Sequence, residues 1–155
     1  MAQSLFAGAT EYEHQSLEDI LTDIENWIEL INNTKSICTV NIRELKETNY
    51  WNMVYDDFKI SITRALNHFD TVISDIKRIS TGIKNDNIKS VHIKLLQQIT
   101  KQSSENEKYI SKSWHSTDRW KDYGDSNFRK VEILYEEVKG TALSLFDASN
   151  MAIRH

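Results

Sequence analysis

Arg64 and His68 stand four residues apart in Arg64-Ala65-Leu66-Asn67-His68. Residues at that spacing are neighbours on a helix face, so a guanidinium and an imidazole placed there could jointly hold a phosphate. A second pair is Glu11 and His14 in Glu11-Tyr12-Glu13-His14, with Glu18 four residues further on. Glu-x-x-His puts a carboxylate and an imidazole on one face, which is half of a di-iron carboxylate site. The other half is missing, because Ala65 precedes His68 by three residues, Lys89 precedes His92 and Lys112 precedes His115. The acidic run therefore reads as a solvated helix start of the kind the helix dipole favours. Cys38 is the single cysteine and has no evident base or resolving partner, so it reads as a small buried hydrophobe. One cysteine also excludes an intramolecular disulfide framework and a multi-cysteine zinc site. Four scattered glycines, Gly8, Gly82, Gly124 and Gly140, cannot build a phosphate-cradling loop. No Gly-x-Ser-x-Gly, His-Glu-x-x-His or paired Cys-x-x-Cys occurs, and no cofactor or metal is expected.

The Arg64/His68 pair resembles the Arg and His that all-helical ribonucleases of the HEPN class carry on one helix. In that class four to six residues separate the two, and here three do. The resemblance covers those five residues only. It implies RNA cleavage as an alternative function, with Arg64 and His68 as the catalytic pair.

The elements that would position these residues are helices. The chain has 155 residues, which suits about one domain, and it contains no proline. Average usage would give about eight prolines, and their absence favours long uninterrupted helices. Thr10 and Glu13 match a capping box, and Leu17, Ile20, Leu21, Ile24, Trp27, Ile28 and Ile31 then follow at three-four spacing. Asn32 and Asn33 are expected to end this helix, with a packed connector running to Val40, and residues 1–9 are expected to be extended or flexible. The second pattern runs from Trp51 through Phe58, Ile62, Phe69 and Ile76 to Ile83, with a weaker extension upstream to about residue 44. As one helix stopped at Gly82 it would be roughly 60 Å long, more than a compact chain of this size spans. Either it breaks near Thr48, where Thr48 or Asn49 could cap a fresh start, or the molecule is elongated, and the elongated form is favoured. A third helix is expected after Asp86, either running through a polar seam at Ser103 and Asn106 towards Gly124, the favoured reading, or restarting at the Ser104–Glu107 capping box, and a fourth from Asp125 or Ser126 onward. The whole is predicted to be an all-α fold: an elongated antiparallel helical bundle of about four helices in a single domain, 1–155, with a long central helical hairpin.

The net charge of −4 argues against general attraction to nucleic acid, yet the charges are unevenly placed. Residues 1–31 carry seven acidic groups, including Glu18, Asp19, Asp23 and Glu25, and no Lys or Arg. Residues 77–121 carry ten basic groups against four acidic ones. Helices of opposite sign are expected to face each other, within the chain or between chains, and to steer partner choice rather than supply stability. Aromatic side chains cluster at Tyr50, Trp51, Tyr55 and Phe58, and again at Trp114, Trp120 and Tyr123. Pairing of the hairpin about Gly82 would bring position 51 opposite about 115 and join the two clusters at one end.

These features favour a non-enzymatic protein–protein interaction module of adaptor, immunity or assembly type, with Tyr50, Trp51, Tyr55, Trp114 and Trp120 as anchors and Glu18, Asp19, Asp23 and Glu25 as steering charge. The partner is another protein, or a second copy in a homodimer. A nucleic-acid binder built on the basic 77–121 segment is the alternative from another class. The opening residues show no basic-then-apolar leader and no stretch reaches 18 apolar residues, so the expectation is a cytoplasmic chain without a membrane partner.

Overall fold

The computed structural model describes residues 17–115 and 126–154, with side chains from 21 to 114 and from 126 to 153. Helix α1 (Leu17–Glu47) does not stop at the Asn32-Asn33 pair, and no connector separates it from residue 41. Asparagine costs a helix interior only about 0.7 kcal/mol relative to alanine. Burial against neighbouring helices outweighs that, because Ile24, Trp27, Ile31, Thr34, Cys38 and Leu45 form one buried seam. Thr34 occupies a seam position normally apolar, and its hydroxyl lies 2.5 Å from that of Thr141 on the last helix.

The expected 60 Å helix is broken, and its upstream part belongs to α1. The Thr48 hydroxyl hydrogen-bonds to the carbonyls of Glu44 and Leu45, and Asn49 takes the left-handed conformation at φ 63°. Asparagine tolerates that region better than other side chains, which makes it a fitting helix stop. A 3-10 turn (Tyr50–Met53) and extended Val54 and Tyr55 reverse the chain. Helix α2 (Asp56–Lys84) then starts with Asp56 and Asp57 in its first turn, where the dipole favours acid.

Gly82 does not end α2. The left-handed residue is Asp86, at φ 51°, and the amide of Asn87 donates back to the Gly82 carbonyl at 2.8 Å. Gly82 serves a close approach instead, since a Cβ there would lie 3.0 Å from the His92 ring. Helix α3 (Ser90–His115) is continuous through its polar stretch, and α4 (Ser126–Arg154) covers the fourth expected pattern.

Every sequential pair is antiparallel. Lys84 meets Glu25 at 3.4 Å, Phe58 meets Trp114 and Trp114 meets Phe128, and the closing pair α4–α1 is antiparallel as well, with Lys130 3.9 Å from Glu44. The fold is an all-α bundle of four packed helices in the cyclic order α1–α2–α3–α4, with α1 and α3 on one diagonal. At 1.5 Å per residue, helices of 26 to 31 residues are roughly 39–46 Å long. One contiguous apolar core fills the interior, centred on Phe58, Ile62, Phe69, Ile76, Leu96, Ile99, Ile110, Leu134 and Leu145. No described helix is long and apolar enough to cross a membrane.

The Thr34–Thr141 contact is a buried hydroxyl pair, so removing one partner leaves the other poorly satisfied. Thr34→Val is expected to lower stability by about 1–2 kcal/mol, and the Thr34→Val/Thr141→Val double change by clearly less than the two singles combined. Urea midpoints of the four proteins measure this; additive losses would show that the hydroxyls are not coupled.

Candidate functional site

α2 turns Arg64, Asn67, His68 and Thr71 towards α3, which answers with Gln102, Glu105, Asn106 and Tyr109. Between them lies an open cleft of about 350 Å³. That is near the lower end for small-molecule sites. His68 and Asn106 are buried, at 8% and 5% exposure, and form its floor. The Asn106 side-chain amide donates to His68 Nδ1 at 3.0 Å, so the neutral ring carries its proton on Nε2. Burial pushes the His68 pKa down to about 4, which keeps the ring uncharged at neutral pH. Arg64 lies over the Tyr109 ring, 4.8 Å from its centroid. The expected Arg64/His68 pairing is thus present on one face, with a second wall from α3.

A wider, shallower depression of about 790 Å³ adjoins the cleft and shares Arg64 and Asn67 with it. Ile42 and Lys46 of α1, Trp51 of the 3-10 turn and Lys59 and Ile60 of α2 line this groove. Lys59 sits over the Trp51 ring at 5.8 Å and also pairs with Asp56 at 3.4 Å. Ile60 is 57% exposed, unusually open for a large apolar side chain.

The aromatic anchors fall into different places. Trp114 packs into the bundle end, stacked on Tyr135 at 4.6 Å and on Phe128 at 6.0 Å, and tilted against Phe58 at 5.7 Å. Tyr50 is buried and Tyr55 is partly buried against the core. Trp51 alone of the four described anchors lines the groove. Trp120 lies outside the described residues, as do Glu11 and His14. The two aromatic clusters do meet, through Phe58 and Trp114.

The steering charges sit at the other end of α1, roughly 30 Å from the groove. Glu25 pairs with Lys84, and Asp23 is exposed. Glu18 and Asp19 belong to the first turn of α1, and their side chains are outside the described set. Within the chain the acidic and basic helices do not face each other as expected. α1 and α3 are the diagonal pair, and Lys84, at the end of α2, reaches Glu25 of the acidic helix. Lys94, Lys101, Lys108 and Lys112 are exposed along α3, and Lys89 is exposed just before it.

Cys38 is fully buried, and burial followed by the nearby Glu137 carboxylate pushes its thiol up to about 12, so it is inert as a nucleophile. Among the described residues no group of three or more His, Cys, Asp or Glu could hold a metal ion. No family model, no curated protein and no solved structure matches the chain.

The buried neutral ring of His68 ties stability to pH. The unfolded chain takes up a proton at this residue below about pH 6.5, while the folded chain resists until about pH 4. The contribution is complete above the unfolded value and is lost as pH falls from 6.5 to 4. It amounts to at most about 3 kcal/mol. His68→Asn is expected to flatten the fall in urea midpoint between those two pH values; an unchanged slope would remove His68 as its cause.

Proposed function

We propose that this chain is a non-enzymatic helical interaction module whose groove at the α1–α2 corner docks an acidic, apolar-faced segment of a partner protein. The observation that carries this is Ile60, held open to solvent beside Trp51 and Ile42 in the groove. A Trp in a concave apolar setting is the kind of residue on which binding energy concentrates. The rim favours acid, since Lys46, Lys59 and Arg64 stand there against the single carboxylate of Asp56. Trp114, Tyr50 and Tyr55 support this surface from the core rather than by contact. The bundle gives the groove a rigid backing, because Trp51 and Ile42 also pack on the central apolar cluster.

Peptides selected on this chain from a displayed random library test the assignment. The enriched sequences are expected to be acidic with an apolar face and to lose at least tenfold in affinity, about 1.4 kcal/mol, on Ile60→Asp. That variant is expected to keep its melting temperature within a few degrees, because the side chain is already exposed. Peptides that bind wild type and Ile60→Asp equally, or a library that yields none, would overturn the groove as the docking site.

A further inference from the structure

The cleft between α2 and α3 is a different kind of surface from the apolar groove. Its two charged walls are of opposite sign: Arg64 on α2 and Glu105 on α3. Among the described residues no ion pair joins these two side chains, and neither is paired with another charged side chain in the bundle. Arg64 is held instead by the face of Tyr109, a contact that leaves the edges of the guanidinium free for a bidentate acceptor. The floor is neutral. His68 Nδ1 is taken by Asn106, and no hydrogen bond to His68 Nε2 is formed among the described residues, so the ring, which lines the cleft, has Nε2–H left to donate.

A ligand for such a cleft must answer both charges. A simple phosphate or other anion would gain from Arg64 and be repelled by Glu105. It would gain no positive charge from His68, whose burial keeps it neutral. A simple cation would meet the reverse problem. We infer that the cleft binds a small zwitterion of the free α-amino-acid class, its carboxylate on Arg64 and its ammonium group on Glu105, over the polar floor of His68 and Asn106. The volume of about 350 Å³ accommodates a molecule of that size.

The intact chain is titrated in turn with each of the standard α-amino acids, with inorganic phosphate and with uridine monophosphate. Binding is followed by melting temperature and by the NMR signals of the His68 ring and the Asn106 side-chain amide. At least one amino acid is expected to raise the melting temperature and shift both signals. Arg64→Gln and Glu105→Gln are each expected to weaken that binding at least tenfold. Both side chains are exposed, so the variants are expected to fold, and unchanged melting of the free proteins checks this. The inference fails if no amino acid moves the two signals. It fails equally if phosphate or the nucleotide binds instead and Glu105→Gln strengthens that binding, which would mark an anion site. Glu105 is absent from the groove around Trp51, so loss of amino-acid binding in Glu105→Gln is separable from any loss of peptide docking.

Discussion

The bundle depends on fixing the height of each helix against its neighbours. Four stripes rich in Ile, Leu and Val pack almost as well after a slip of one turn, about 5.4 Å, because apolar contact is not directional. Hydrogen bonds are directional. Thr34 with Thr141 fixes α1 against α4, Thr100 with Ser149 fixes α3 against α4, and His68 with Asn106 fixes α2 against α3. The ion pairs Lys35–Asp70 and Lys84–Glu25 do the same for α1 and α2 from the surface, with less energy at stake. A slip would strand each buried partner at about 1–3 kcal/mol. Summed over three pairs, that is comparable with the whole net stability of a small domain, about 5–15 kcal/mol. The polar contacts therefore select one register among packings that the apolar core alone would barely distinguish.

The reversal at residues 48–55 has a similar role for the path of the chain. Asn49 in the left-handed region stops α1, and the 3-10 turn delivers Tyr50 and Val54 into the core within a few residues. Trp114 then caps that end by stacking between Phe58, Phe128 and Tyr135, so three helices are locked by one indole. The outer face of the same turn is left to Trp51, which is why the groove lies beside the most aromatic part of the core.

The helix class and the continuity of α3 were legible because three-four spacing survives a few polar substitutions. The same rule, applied to α1, would have carried that helix past Asn32, since Ile31, Thr34, Cys38, Ile42 and Leu45 keep the rhythm. A threonine in the seam hid it, because a polar residue looks like an interruption until its buried partner on another helix is known. Thr48 and Asn49 were visible as a boundary, but a residue that stops one helix and one that starts the next share much of the same chemistry. The pairing of Arg64 with His68 followed from spacing alone. Their opposite wall did not. Turning the hairpin at Gly82 would put Arg64 across from about residue 102, whereas the turn at Asp86 puts it on Tyr109, two helical turns or roughly 10 Å away.

α2 carries both depressions, and the consequence lies in Arg64. Its guanidinium rests on Tyr109 at the cleft side, while the residue also lines the groove at Trp51. A group that draws the guanidinium further into the cleft removes positive charge from the groove rim, leaving Lys46 and Lys59 against Asp56. Occupancy of the groove by an acidic segment draws it the other way. Binding free energies are state functions, so any such effect is equal in both directions. Its size is bounded by the weaker of the two contacts, the screened one at the groove rim, at about 1 kcal/mol. A coupling of that size changes affinity by less than tenfold. With both proposed occupants bound, the two surfaces would modulate each other through Arg64 alone, while the polar pairs beneath keep the bundle itself unchanged.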